Sequence, residues 1–342
     1  MPFINDVLEH NRERLTRENV GQLPSRFLFE PAAVMALLRS RIVGQEAVLD
    51  QVEALLTVVK ADIGDPERPL GVNLFIGPTG VGKTEIVRLL AQAIHGRDDA
   101  LCRIDMNTLA QEHYSAALAG APPGYVGSKE GTTLFDAEAI AGSYGRPGIV
   151  LFDELEKADR SVLRTLLNVL DSGQLTLSAG NRRIDFRNSL IFMTSNIGAR
   201  QVWDYRARFS RGWRRWVNRA PQDAGRVLED ALHGHFEPEF LNRIDRILAF
   251  EAVEGAWLDG LLDIELDKLN RRLARQGRSL QVQAAARGWL CAGHDPRFGA
   301  RDLVRRLRRE LEPRVAQCLL DQPACAQMQA EVREGELCVV AQ

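Results

Sequence analysis

Three short stretches of the 342-residue chain carry side chains suited to phosphate chemistry. The first, "GPTGVGKT" (77–84), follows the apolar run "VNLFI" (72–76) and opens the amphipathic pattern "TEIVRLLAQAIHG". A glycine-rich turn from strand to helix lets the backbone N–H groups of Gly80, Val81 and Gly82 turn inward around phosphates, at the positive end of the helix. The pattern predicts a nucleotide cradle over Gly77, Pro78, Thr79, Gly80, Val81, Gly82, Lys83, Thr84 and Glu85. Lys83 is expected to reach the β- and γ-phosphates and the Thr84 hydroxyl to hold Mg²⁺.

The second stretch, "LFDELEK" (151–157), ends an apolar run in two adjacent carboxylates. Alone it reads equally as a solvated strand end. Paired with the phosphate loop it assigns Asp153 to orient Mg²⁺ and Glu154 to polarise the water that attacks the γ-phosphate. The third, "MTSN" (193–196), ends another run and offers the Asn196 amide to the same water, with a simple strand-end turn as the alternative. Together they predict ATP hydrolysis with ATP and Mg²⁺ as cofactors. GTP is disfavoured only by the lack of an NKxD pattern.

These residues need a sheet edge to bring them together. Five short apolar runs supply one: "VNLFI" (72–76), "LCRI" (101–104), "GIVLF" (148–152), "SLIFMT" (189–194) and "RILAF" (246–250). Runs so short and so apolar suit strands buried on both faces, and the helical patterns between several of them indicate an α/β domain around a parallel sheet. After the first run, Ile86, Leu89, Leu90, Ala93 and Ile94 form one helical stripe that stops at Gly96. Beyond Phe250 the texture becomes helical, with Leu303, Leu307, Leu311 and Val315 recurring every fourth residue. Only "LQVQA" (280–284) and the final "ELCVV" look strand-like there. The expected division is a polar extension over 1–22, a large α/β nucleotide-binding domain over 23–250, and a smaller, mostly helical domain over 251–342.

Composition narrows the class further. With 45% hydrophobic and 26% charged residues the chain has the balance of a soluble globular protein. Its formal net charge of -2 creates no global field for nucleic acid or anionic lipid. The amino terminus lacks the basic start and apolar core of a signal peptide, no run is long enough to span a bilayer, and the five cysteines lack CxxC spacing. Buried thiols in a cytoplasmic protein are the expectation.

With these residues in hand the chain resembles the Clp family of AAA+ ATPases, most closely the second ATPase module of ClpB-type and ClpA-type proteins. The resemblance rests on "RIVGQEAV" (41–48), "GAPPGYVG" (120–127), "DELEKA", "DFRNS", "MTSNIG", "PEFLNRID" and "FGARDL" (298–303), in that order. It implies an AAA+ fold with a five-stranded parallel sheet between helices, followed by the small helical domain, and assembly into a homo-oligomeric ring of six. It also implies that Gly124, Tyr125, Val126 and Gly127 form a pore loop whose aromatic ring grips a threaded polypeptide. An aromatic face contacts any side chain without demanding a sequence, and flanking glycines let it move. Without the resemblance, Tyr125 reads equally as the filler of a turn. By the same likeness Arg243 is an arginine finger offered to a neighbouring subunit, with an intrachain pair to Asp245 as its alternative. Arg301 would contact the γ-phosphate in cis, and Ile42 and Val43 would sandwich the adenine.

The chain also departs from the family pattern. It carries no preceding ATPase module, no coiled-coil middle domain and no IGF-like or IGL-like tripeptide of the kind that docks unfoldases onto the ClpP peptidase. Its counterpart of the second pore loop, "SGQLTLSAGN" (172–181), is largely uncharged. The segment 200–219 interleaves Arg206, Arg208, Arg211, Arg214, Arg215 and Arg219 with Trp203, Tyr205, Phe209, Trp213 and Trp216. A helix with packed tryptophans and solvated arginines, a docking surface for an adaptor, and single-stranded nucleic acid binding are ranked in that order. The leading expectation is an ATP-driven unfoldase acting on polypeptide as a single ring. The rival is a nucleotide-switched scaffold that remodels a partner without threading it.

Overall fold

The computed structural model describes residues 25–110, 134–176, 183–198, 201 and 221–342. The chain divides into two compact units. The first runs through Ser40 and then takes Glu46–Gly77 and Lys83–Phe250; the second takes Arg41–Gln45, Pro78–Gly82 and Glu251–Gln342. Two short segments expected in the large domain, 41–45 and 78–82, thus group with the carboxyl-terminal unit.

The first unit contains helices α1 (Pro31–Arg41) and α2 (Glu46–Ala61), then strand β1 (Gly71–Ile76), helix α3 (Lys83–His95) and strand β2 (Cys102–Asp105). Helix α4 (Ala137–Ala141), strand β3 (Gly148–Asp153) and helix α5 (Arg160–Ser172) follow. Next come the short strands β4 (Gln174–Thr176) and β5 (Arg183–Asp185), strand β6 (Ser189–Ser195), helices α6 (Pro221–His233) and α7 (Pro238–Leu241), and strand β7 (Arg246–Ala249). All five apolar runs form strands, and they make one parallel sheet in the order β2-β3-β6-β1-β7. Every residue of β1, β3 and β6 is buried, which is why these strands read as continuous apolar runs rather than as alternations. Edge strand β2 does alternate, with Cys102 and Ile104 buried while Arg103 and Asp105 are exposed.

Helix α3 buries Ile86, Val87, Leu89, Leu90, Ala91 and Ile94, and Gly96 ends it by donating its N–H to the Gln92 carbonyl at 2.9 Å. Aromatic rings also pack along the sheet, with Phe75 lying 5.3 Å from Phe192 and 5.2 Å from Phe250 between centroids. Fully burying a side chain of this size stabilises the fold by about 1.5–3 kcal/mol.

The sheet's register decides the site. Parallel pairing sets Phe152 opposite Met193 and Ile76 opposite Ser195. The carboxyl ends of β3, β6 and β1 therefore lie side by side, and they deliver Asp153, Asn196 and Gly77 to one edge. Neighbouring strands are about 4.8 Å apart, so side chains leaving these ends meet.

The second unit is built on helices α8 (Ala256–Ala274), α9 (Ala284–Cys291), α10 (Ala300–Arg306) and α11 (Glu312–Asp321), with strands β8 (Ser279–Val282), β9 (Gln327–Arg333) and β10 (Glu336–Ala341). The strands form a sheet in the order β10-β9-β8. Leu303, Leu307, Leu311 and Val315 are all buried in this unit's core. A four-residue spacing overshoots each α-helical turn by about 40°. A π turn over Leu307–Leu311, between α10 and α11, takes up the excess and keeps the four on one face.

Candidate active site

Lys83 begins α3 and is 7% exposed. A buried ammonium is costly unless its protons are taken. Its Nζ donates to the Gly77 carbonyl at 2.7 Å and to Asn196 Oδ1 at 2.9 Å. Gly77 has φ 145°, and a Cβ there would lie 2.7 Å from the Phe250 carbonyl oxygen, so the position admits only glycine. Gly80 and Gly82 also have positive φ, at 74° and 106°.

Asp153 ends β3 and is 8% exposed. Its Oδ2 accepts from Arg103 Nη2 at 2.6 Å; its Oδ1 accepts from Thr194 Oγ1 at 2.5 Å and from Thr84 Oγ1 at 3.4 Å. Both residues expected to serve a metal ion thus present oxygen atoms to one point. A hydroxyl beside a carboxylate is the hard donor set that Mg²⁺ takes.

Glu154 follows with φ 58° and ψ 52°, left-handed geometry in a residue that is not glycine. Such a conformation costs about 1–3 kcal/mol and persists only where neighbours impose it. One neighbour is Thr194, whose Oγ1 accepts the Glu154 N–H at 3.0 Å. The Glu154 carboxylate has no hydrogen-bond partner among the described residues.

Asn196 is held on two sides. While Oδ1 faces Lys83, its backbone N–H and Nδ2 donate to Glu156 Oε1 at 3.2 and 3.1 Å. Glu156 Oε2 is buried without a hydrogen-bond partner among the described residues. The edge therefore joins Lys83, Thr84, Asp153, Glu154 and Asn196, as the sequence reading expected, and adds three residues it missed: Arg103, Thr194 and Glu156. The exposed alternation in "CRID" is a signal for Arg103. Thr194 and Glu156 stand beside expected site residues in the chain, but only the cross-strand register shows what they touch.

Arg243, after α7, is half-buried. Its Nη1 donates to the Glu239 carbonyl at 3.1 Å, Nη2 lies 3.4 Å from Glu239 Oε1, and Nε forms an ion pair with Asp171 at 3.5 Å without hydrogen-bond geometry. The alternative pair with Asp245 is not formed. Asp245 instead accepts the Val72 N–H at 2.8 Å and faces Arg68 at 3.6 Å, because it leads into β7, which pairs with β1.

In the second unit, Ile42 is 7% exposed and its Cδ1 lies 3.5 Å from where a Cβ on Gly82 would stand. Val43 packs on Gly260. Arg301 is exposed in the first turn of α10, where the Ala300 N–H donates to the Gly80 carbonyl at 2.8 Å. Gly124, Tyr125, Val126 and Gly127, the segment 200–219 apart from Gln201, residues 177–181 of the second pore-loop counterpart and the extension 1–22 lie outside the described residues. All five cysteines are free thiols, and among the described residues no helix is long and apolar enough to cross a membrane.

Comparison with known proteins first sets the class. Residues 68–247 match the family model for the AAA domain (Cdc48 subfamily), so the chain is an AAA+ ATPase and binds nucleotide. Residues 256–332 match the C-terminal, D2-small domain, of ClpB protein. The chain belongs to the Clp family of AAA+ ATPases, and it corresponds to a module of the second-ring type.

It is 47% identical over 345 residues to an ATP-dependent protease ATP-binding subunit-like protein, AmiB, of Pseudomonas aeruginosa, covering 94% of this chain and 93% of that protein. It is 42% identical to the chaperone protein ClpB of Propionibacterium freudenreichii, over 82% of this chain but 30% of that one. Among solved structures it is similar to the closed state of Hsp104 with ATPγS and FITC casein, at TM-score 0.77 and 27% identity, covering 91% of this chain and 51% of that one. The chain thus spans nearly the full length of the AmiB relative and about a third of the ClpB one.

Proposed function

We propose that the chain is an ATP-driven protein-remodelling motor that threads polypeptide through the pore of a single-ring homohexamer in the cytoplasm. The observation that carries this reading is the convergence of Lys83, Asp153, Glu154 and Asn196 on one sheet edge in a Clp-family chain of single-module length. Hsp104 was solved with casein, which supports polypeptide as the substrate class.

In this reading Lys83 exchanges its contacts with Gly77 and Asn196 for phosphate oxygens. Thr84 and Asp153 would hold Mg²⁺, which would neutralise charge on the phosphates. Glu154, its backbone turned by the left-handed geometry, accepts a proton from the attacking water, and Asn196 orients that water. Arg243 leaves Glu239 and Asp171 for the nucleotide of a neighbouring subunit, so that turnover depends on assembly. Ile42 and Val43 are assigned to the adenine, Arg301 to the γ-phosphate, and Gly124–Gly127 to the grip on substrate. The lack of a peptidase-docking tripeptide in the sequence argues for remodelling without delivery to ClpP, and the segment 200–219 keeps its order of readings, a helix with packed tryptophans first and a docking surface for an adaptor second.

ATPase rate per subunit against protein concentration, with and without an unfolded model protein, tests the reading. It expects a rate that rises cooperatively with concentration and rises again with the unfolded protein. A rate independent of both favours the nucleotide-switched scaffold.

A further inference from the structure

Thr194 lies on β6 and is 1% exposed. A hydroxyl has one proton to give and two lone pairs to offer. A buried threonine in a strand commonly spends that proton on a nearby backbone carbonyl. Thr194 instead donates to the Asp153 carboxylate at 2.5 Å, a charge-assisted bond, and accepts the Glu154 N–H at 3.0 Å. Both partners stand on the neighbouring strand end, and they are the two consecutive acids of the site. One side chain thus fixes the carboxylate of the first and the backbone of the second.

The second contact falls on a residue whose conformation needs outside support. Glu154 is left-handed at φ 58°, and the Thr194 hydroxyl takes its N–H at that turn. A side chain leaving a left-handed residue points where an extended continuation of the strand would not send it. The same hydroxyl holds Asp153 Oδ1, the oxygen that also faces Thr84.

We infer that Thr194 is a positioning residue that couples the metal-orienting acid to the water-polarising acid, so that Asp153 and Glu154 are aimed together. The inference rests on the roles proposed above for those two acids. Thr194 touches neither nucleotide nor water in this scheme.

The test uses the full chain with Thr194→Val, Thr194→Ala and Thr194→Ser, and Glu154→Gln in parallel. Val keeps the branched shape without the hydroxyl, Ala removes the hydroxyl without adding a methyl group against Asp153, and Ser keeps the hydroxyl. Three quantities are read: kcat and KM for ATP, the affinity for a fluorescent ADP analogue in Mg²⁺ and in EDTA, and thermal stability.

Val and Ala are expected to lower kcat by about 10–100-fold, the usual cost of losing a group that orients a metal ligand. Affinity in EDTA should stay at the wild-type value, the gain in affinity on adding Mg²⁺ should shrink, and Ser should restore kcat and the Mg²⁺ gain together. If Val destabilises the fold, Ala and Ser carry the comparison. Wild-type kcat in the Ala variant beside an inactive Glu154→Gln variant overturns the inference alone. Loss of activity in Ser and Ala alike, in step with their loss of thermal stability, also overturns it, as the mark of a packing role. Normal turnover in Glu154→Gln instead removes the assignment of the acids and the inference with it.

Discussion

Asn196 holds the ammonium of Lys83: Nζ donates to its Oδ1 at 2.9 Å, while Glu156 accepts from its Nδ2 at 3.1 Å and so fixes which end of the amide faces the lysine. The two expected roles of these residues are linked by this pair, since Lys83 reaches phosphate only by giving up that oxygen or sharing it.

The pair yields a contrast between two substitutions. Asn196→Asp replaces a neutral acceptor by a carboxylate, which strengthens the hold on Lys83 and repels phosphate. Nucleotide affinity should fall. Asn196→Ala removes the acceptor and frees Lys83, so affinity is kept while turnover drops by about 10²-fold through loss of positioning. Titration with a fluorescent nucleotide beside steady-state ATPase assays separates the two. Equal affinity in the Asp and Ala variants contradicts the link.

Glu154→Gln keeps the size and left-handed position of the side chain but removes its basicity. Binding of ATP should be retained and kcat should fall by about 10²–10⁴-fold, the range for loss of a general base. Rings trapped with ATP should persist longer in gel filtration. Turnover near the wild-type rate removes Glu154 from the reaction.

Among the described residues Arg243 reaches Glu239, through its carbonyl and its carboxylate, and Asp171, all in its own chain. If it acts on a neighbour's nucleotide, Arg243→Ala should lower the ATPase rate by about a thousandfold or more although its own phosphate loop is complete. Mixing this variant with Lys83→Ala should recover activity, because some interfaces then join an intact loop to an intact arginine. No recovery in mixed rings of confirmed composition counts against action across subunits.

Cys102, on edge strand β2, reports on how tightly that strand is packed. Burial pushes its thiol up to about 11, against which the backbone contact at Asp136 works only weakly. A raised value means the neutral thiol is favoured in the folded protein. Its contribution to stability is complete below the ordinary thiol range and is lost as pH rises toward 11. Alkylation at pH 8.5 followed by mass spectrometry should therefore label Cys325 and Cys338 well before Cys102. Labelling of Cys102 at the same rate contradicts its burial on β2.

How legible this was in the sequence depended on where each signal lay. The five parallel strands were readable because burial on both faces removes polar residues from β1, β3 and β6 and leaves continuous apolar runs. Asp153, Glu154 and Asn196 were readable because each ends such a run. Strand β9 was not, since its core side is Met328, small Ala330 and partly buried Val332 between glutamines and a glutamate, a weaker pattern than "LQVQA" or "ELCVV". The turn Glu334-Gly335, both with positive φ, was the local clue to its hairpin with β10. The hold of Thr194 on two acids and of Glu156 on Asn196 depends on which residue of one strand faces which residue of the next. Spacing along a single chain does not carry that information. The same limit explains Asp245, whose partner is set by the pairing of β7 with β1 and not by its nearness to Arg243.

The most direct measurement of the central claim, that ATP turnover drives a polypeptide past Tyr125, is crosslinking from that position. A photoreactive amino acid replaces Tyr125, and the chain turns over ATP with a labelled unfolded protein. The account predicts crosslinks to the labelled polypeptide that need ATP and spread along its length with time, and that vanish in Lys83→Ala rings. It also predicts that Tyr125→Ala keeps basal ATPase and ring assembly while losing stimulation by substrate, and that Tyr125→Phe keeps both. Capture of no polypeptide during turnover stimulated by that substrate contradicts threading.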